Sequence, residues 1–331
     1  MGIRFSLAAV VALVLAVFLG VKAAGLTYFF GVVVPYAAIF LFLGGIVCRT
    51  LIWGRSPVPF RIPTTAGQQK SLPWIKQNKL DNPITPKQVV GRMILEVLLF
   101  RSLFRNTKAE IDKGPKLYYQ WEKWLWLASL AFHYTFFIIL VRHLRFFTQP
   151  VPFFVEGIER VDGFLQVGLP GIYITDLIFL VAVTYLFVRR VVIPQIRYIS
   201  LPADYFPLLL ILTIGVTGIL TRYFFKVDIL KVKQLAMGLI AFKPVAPEGI
   251  GVIFFIHLFL VSILLAYFPF SKLMHAGGVF LSPTRNLPND SRIKRHINPW
   301  NYPVKVHTYA EYEDHFREKM IEAGLPVEKE L

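Results

Sequence analysis

Apolar residues in this chain are gathered into long runs without charge. Such runs cover 5–21, 23–48, 124–141, 205–221 and 249–271, and another covers 163–175 and continues past Asp176 to Val188. A helix needs about 20 apolar residues to cross the hydrocarbon core of a bilayer. Six runs meet that length, the fourth with one acid near its start. None alternates with period 2, so a barrel of spanning strands is excluded. The expected fold class is an all-α integral membrane protein, a six-transmembrane-helix bundle with a long loop and a polar tail.

The runs divide the chain into an N-terminal transmembrane hairpin (1–48), a loop (49–123), a four-helix core (124–275) and a C-terminal tail (276–331). Arg4 and the small residues after Val21 give the first run some likeness to a secretory leader; we read it as a span. Prolines 58, 63, 73, 83 and 86 break regular structure in the first half of the loop. From 88 to 104 the loop turns apolar again, interrupted by Arg92, Glu96, Arg101 and Arg105. These charges share no single helical face, so the segment is expected to be a helix partly covered by protein. In the tail, only 309–323 reads as a helix.

Composition agrees with the runs: 55% of residues are hydrophobic, 17% are charged and the mean hydropathy is +0.56. In a soluble chain a net charge of +16 would point to nucleic acid. Here its placement carries topology, and no nucleic-acid partner is expected. The 49–123 loop has 14 Lys and Arg against five acids, whereas 146–172 has one Arg against three. The positive-inside rule puts the first in the cytoplasm and the second outside, with both termini cytoplasmic. Lys226, Lys231 and Lys233 fall outside and dissent. The single cysteine, Cys48, rules out an internal disulfide, a cysteine-held cluster and a thioether-linked haem.

Ionisable side chains inside spans are costly and usually functional. Of seven histidines, His296, His307 and His315 lie in the polar tail. His133 and His143 lie ten residues apart on the third span, about 15 Å along its axis. His257 and His275 lie eighteen apart on the sixth, about 27 Å and five turns if the helix is straight, with Pro269 expected to kink it between them. The two spans run in opposite directions, so only His133 with His275, and His143 with His257, can share a depth. Two stacked histidine pairs follow. Two haem b groups suit them, being held by axial histidine in an apolar slot between helices. Zinc would need further ligands at each level. Arg142 and Arg145 flank the outer pair as propionate partners, with Lys272, Arg189 and Arg190 at the inner end. Helix packing or interfacial snorkelling is the plainer reading of these residues.

The histidine spacing resembles that of the γ subunit of respiratory nitrate reductase, a dihaem cytochrome b that oxidises quinol. Two loop segments sharpen the likeness. Cys48-Arg49-Thr50-Leu51-Ile52-Trp53-Gly54-Arg55 through Pro63-Thr64-Thr65, and Gly91-Arg92-Met93 through Glu96-Val97-Leu98-Leu99-Phe100-Arg101-Ser102-Leu103-Phe104, look like the DsrM/HmeC membrane cytochrome b of sulfate- and sulfite-reducing prokaryotes. The resemblance implies haem b iron on His133, His143, His257 and His275 and menaquinone as exchangeable substrate. It implies a cytoplasmic iron–sulfur subunit similar to heterodisulfide reductase (DsrK-like), with further membrane and periplasmic subunits, in dissimilatory sulfur metabolism at the cytoplasmic membrane. Quinol oxidation releases protons, and Asp176 stands near the outer haem level as a candidate acceptor. Its plainer reading is a first-turn acid favoured by the helix dipole. Glu156 and Glu159 are further candidates. A transporter relaying protons through its histidines, or a membrane anchor without redox centres, are the alternative functions.

Overall fold

The computed structural model describes residues 2–56, 70, 73–111, 114, 117–290 and 305–329. The first hairpin is helix α1 (Gly2–Lys22), a π-helical turn (Phe29–Val33) and α2 (Val34–Arg55). Pro35 lacks the N–H that would bond back to Gly31, and the helix widens into the π-turn just before it. The loop holds α3 (Pro86–Leu99), α4 (Arg101–Phe104) and a hairpin of β1 (Thr107–Ile111) and β2 (Leu117–Trp121). The third run is α5 (Lys123–His143), extended by a 3₁₀ turn to Phe146. Outside it come α6 (Phe153–Phe164) and a short pairing of β3 (Gln166–Val167) with β4 (Ile172–Tyr173). Then follow α7 (Ile174–Val192), α8 (Pro194–Ile199), α9 (Pro202–Ile219), a π-turn (Leu220–Phe224), α10 (Ile229–Ile240) and α11 (Val252–Tyr267). The tail carries α12 (His275–Leu281), α13 (Pro283–Asn286) and α14 (Tyr309–Glu322).

Five helical stretches are long and apolar enough to cross a membrane: Gly2–Lys22, Phe29–Arg55, Lys123–Phe146, Pro202–Phe224 and Val252–Phe270. The protein is a multi-pass membrane protein. The fourth run starts later than its composition suggests. Residues 163 and 164 close α6, and the stretch up to Tyr173 turns through Gly168, Pro170 and Gly171 before α7 begins. That leaves a 19-residue helix holding Asp176, Arg189 and Arg190, too charged to count with the five. The two small β-hairpins also qualify the all-α expectation, though both lie in connections between helices.

Contacts at the helix ends establish direction. Ser6 donates to the Pro202 carbonyl (3.1 Å), Arg189 meets Glu122 (3.1 Å) and Lys272 meets Asp204 (2.6 Å) at one end. At the other, the Tyr173 N–H donates to Tyr223 Oη (3.1 Å). So α1, α5 and α9 run one way, and α7 and α11 run back. Helix α2 runs beside α11: a Cβ on Gly31 would sit 3.2 Å from Phe255, and one on Gly45 only 2.7 Å from Pro269. The main core joins α1, α2, α9, α10 and α11 through Val17, Phe30, Leu210, Leu235, Phe255 and Leu260. A second cluster of Phe179, Val183 and Ile211 ties α7 to α9 and α5. Many large apolar side chains, such as Phe40 at 77% exposure, face outward, as a lipid-facing surface requires.

The kink expected at Pro269 in the sixth helix is a full break. Helix α11 ends at Tyr267, 3₁₀ turns occupy Phe268–Phe270 and Lys272–Met274, and Ser271 between them is extended. Pro269 is the cause, since it cannot supply the next helical N–H.

At the end marked by Arg189 and Lys272 the loop folds back on the bundle. Thr85 caps α3 by accepting from the Gln88 N–H, with Pro86 in the first turn. Trp126 Nε1 donates to the Leu99 carbonyl (2.7 Å) and Tyr134 Oη to that of Leu98 (3.0 Å). The buried side of α3 carries Val89, Arg92 and Glu96 and is covered by the tail. Arg92 donates to the Thr284 carbonyl (3.1 Å), Arg285 pairs with Glu96 (3.0 Å), and the Asn289 N–H donates to the Pro83 carbonyl (2.6 Å). Prolines 58 and 63, His296, Pro299 and Trp300 lie outside the described residues.

Candidate functional site

The four span histidines meet as two pairs. His133 on α5 faces His275 at the start of α12, with ring centres 6.0 Å apart and planes at 84°. His143, at the end of α5, faces His257 on α11, with ring centres 6.4 Å apart and planes at 19°. His133, His143 and His257 are half-buried, whereas His275 is exposed.

For three of the four rings the hydrogen bonds settle which nitrogen is free. His133 Nδ1 donates to the Ser129 carbonyl (2.7 Å), His143 Nδ1 to that of Ile139 (2.7 Å) and His275 Nδ1 to that of Lys272 (2.8 Å). A carbonyl has no proton to give, so each Nδ1 carries the hydrogen and each Nε2 keeps its lone pair. That is the tautomer a metal-ligating imidazole needs, with its second nitrogen held by an outer partner. A metal bound linearly by two such nitrogens at about 2 Å each separates the ring centres by about 6 Å. Both pairs stand at that separation. Among the described residues no group of three or more His, Cys, Asp or Glu gathers at one point, so the donor sets fit an axially held haem better than a tetrahedral ion.

Beside the outer pair lies a buried polar network. Arg142 forms ion pairs with Asp162 and with Asp176 (2.5 Å to Asp176 Oδ1), and all three are nearly inaccessible. Tyr223 Oη donates to Asp176 Oδ2 (2.7 Å), and Thr175 Oγ1 donates to Asp162 Oδ2 (2.5 Å). Arg142, Asp176 and Arg222 all act electrostatically on His143. Burying an arginine is tolerable only when paired, and two carboxylates from two elements do this. The Nε of Arg142 is buried and has no hydrogen-bond partner among the described residues.

Other cations expected at the site have partners too. Arg145 pairs with Glu159 (2.7 Å) in the wall of an open cavity of about 380 Å³ shared with Val151, Glu156 and Arg160. At the inner end Arg189 holds Glu122, Lys272 holds Asp204, and Arg190 donates to Ser200 (2.9 Å). Besides Asp162, sequence reasoning missed two residues of the outer site. Tyr223 is one. Arg222 is the other: it stacks over Tyr173 (4.2 Å from the ring centre), lies 5.5 Å from the Tyr223 ring and has no ion pair among the described residues. Both follow the charge-free run directly, and an arginine one residue past its outer end was the available signal. Phe100 was missed at the inner site. Its left-handed backbone (φ 49°) turns its ring edge-on to His133 at 4.9 Å.

A multi-pass helical bundle that stacks histidine pairs at two depths has the layout of a membrane cytochrome b. Residues 102–293 match the nitrate reductase gamma subunit family, and the chain belongs to it. Two archaeal relatives are similar over most of their length, both described as the cytochrome b-like subunit of an Hdr-like menaquinol oxidoreductase. That of Archaeoglobus fulgidus is 46% identical over 279 residues, 82% of this chain and 83% of the relative. That of Archaeoglobus profundus is 43% identical over 274 residues, 81% of each.

Proposed function

We propose that this chain is the dihaem cytochrome b subunit of a menaquinol oxidoreductase complex. It would exchange electrons between menaquinol and a cytoplasmic iron–sulfur subunit similar to heterodisulfide reductase. The observation that carries the reading is the pair of facing imidazoles at two depths, three of the four with Nδ1–H satisfied by a carbonyl and Nε2 free. The relatives' names support menaquinol and an Hdr-like complex. In this reading all six long helices cross the cytoplasmic membrane, α7 included, because its acid is paired by Arg142 and its arginines sit at the inner end. Both termini are cytoplasmic. Service in dissimilatory sulfur metabolism, with further membrane and periplasmic subunits, follows from the resemblance of the loop segments.

A haem b at each pair supplies one-electron chemistry. The protein supplies the rest. His133 with His275, and His143 with His257, hold the iron, and the Nδ1 bonds orient the rings and raise the basicity of the ligating nitrogens. Arg145 and Arg222 are the outer cations assigned to propionates, and the unpartnered Nε of Arg142 adds a donor. Asp176 is the assigned acceptor of a quinol proton. Arg142 and Tyr223 keep its two oxygens oriented, and Tyr173 and the Arg222 guanidinium wall the site. The test is a reduced-minus-oxidised spectrum and a pyridine haemochrome assay on the purified chain. Two haem b per chain are expected; a haem-free, folded chain would return the histidines to a proton relay or to packing.

A further inference from the structure

His257 is held differently from the other three histidines. They give their Nδ1 proton to backbone carbonyls, while His257 Nδ1 lies 3.0 Å from Thr217 Oγ1 on α9. The single proton of that hydroxyl is directed at the carbonyls of Thr213 (2.9 Å) and Ile214 (3.0 Å). With that proton on either carbonyl the hydroxyl presents a lone pair to the imidazole, an arrangement in which His257 is the donor. The Ile214 carbonyl also reaches this ring, as a second acceptor beside Thr217. Next to Thr217, a Cβ on Gly218 would stand 3.1 Å from His257 Cε1, so α9 is pressed against the ring. We infer that Thr217 is a positioning residue of the outer site: it fixes the Nδ1–H form of His257 and tunes the basicity of its Nε2. This rests on the haem reading above. It makes the outer site the one whose iron is adjustable by a side chain, since a backbone carbonyl cannot be removed by substitution.

Removing the acceptor weakens His257 as a donor to iron, which disfavours the oxidised state and raises the potential. The test is redox titration of the full chain in membranes, with the outer haem identified by its loss in His257→Ala. Thr217→Val is expected to raise the outer midpoint potential, leave the inner one in place and leave both haems bound; Thr217→Ser should behave as wild type. Selective loss of the outer haem in Thr217→Val, with retention in Thr217→Ser, supports the same assignment. Two bound haems with an outer potential unchanged or lowered in Thr217→Val overturn it alone. A wild-type chain without haem overturns the functional reading itself and this assignment with it.

The hairpin β1–β2 carries a second inference that is independent of haem. Side chains on a strand alternate, so Leu117, Tyr119 and Trp121 share one face, and they are 57%, 65% and 57% exposed. An isolated two-stranded hairpin with an uncovered apolar face is marginal in water. Trp121 lies two residues before α5, whose first turn exposes Trp124 (72%), and Lys123 Nζ sits 4.8 Å over the Trp121 ring. The apolar face thus continues the lipid-facing side of α5, where Leu127 and Phe137 are also exposed. We propose that this face rests among the phospholipid headgroups at the inner end of the bundle, the level that Trp and Tyr favour.

The test uses spin labels at Tyr119→Cys and Gln120→Cys in a Cys48→Ser background, with the full chain in phosphatidylcholine–phosphatidylglycerol vesicles. The label at 119 should be reached by oxygen and shielded from a water-soluble nickel chelate, with the opposite pattern at 120. Equal chelate access at both positions overturns the proposal. So does shielding at 119 that appears only after other membrane proteins are added, which would assign the face to a protein partner.

Discussion

The outer and inner histidine pairs have nearly the same ring separation, yet they are built in opposite ways. The outer pair stands on two unbroken helices, α5 and α11, beside a buried ion-pair network and against α9. Its imidazoles lie nearly parallel. The inner pair joins His133 to a residue beyond a broken helix, and His275 is exposed. Its imidazoles cross nearly at right angles. What holds the inner pair is the returned loop and tail: Phe100 against His133, and the α3–α13 clamp of Arg92, Glu96 and Arg285. The contrast assigns rigidity to one end and accessibility to the other. A quinol headgroup needs a shaped, water-poor pocket, whereas a soluble partner needs an approachable edge.

The largest expected effect breaks the comparison outright if the pairing is wrong. His143→Ala and His257→Ala should each remove the outer haem, and His133→Ala and His275→Ala the inner one, read by redox titration. Loss of the same haem from His133→Ala and His257→Ala would show that the depth match fails. Next comes Asp176→Asn, which keeps the shape and removes the base. Stopped-flow reduction by a menaquinol analogue should slow by about a hundredfold with both haem spectra intact. Unchanged kinetics would leave Asp176 as the counter-ion of Arg142 and no more.

Two smaller effects sharpen the inner half. Glu96→Gln leaves Arg285 with a weaker partner and frees the Ser102 hydroxyl and N–H that Glu96 accepts from. A cost of about 1–3 kcal/mol is expected. It should appear as earlier thermal loss of the inner haem band, with the outer band unmoved. The smallest effect concerns Asp81. Its hydrogen bond from Arg101, with Arg105 beside it, holds its carboxyl below the usual range although burial pushes the other way. A lowered folded-state value means that the contribution is present above the unfolded carboxylate range and is lost as pH falls through the folded one. As a partly exposed pair it contributes about 0.5–1 kcal/mol. Asp81→Asn should therefore unfold earlier than wild type at neutral pH and match it in strong acid, by thermal melts across pH.

Much of the bundle was legible because burial in lipid leaves a one-dimensional signature. Charge-free runs gave α1, α5, α9 and α11 within a few residues and α2 with its end seven residues short, and antiparallel direction was enough to pair histidines ten and eighteen residues apart. The misses have local causes. Gly163, Gly168 and Gly171 are as apolar as helix residues on a hydropathy count, so the fourth run was started eleven residues before Ile174. Pro269 was read as a kink; packing against Gly45 and the extended Ser271 make it a full break. Arg142 was read for its charge alone, because Asp162 lies twenty residues on and Asp176 thirty-four.

By itself, then, the sequence determined that the chain lives in a membrane, where its five most apolar helices lie, and which histidines can share a depth. Those properties depend on composition and on distance along a helix axis, both of which are additive along the chain. Tertiary structure alone decided that Arg142 is shared by two carboxylates, that Thr217 stands against His257, and that residues 73–106 and 282–290 pack together beside the inner pair. Each of these depends on which side chains meet across helices. Hydropathy and spacing place a residue at a depth but leave its rotation about the helix axis open, and rotation is what selects the partner.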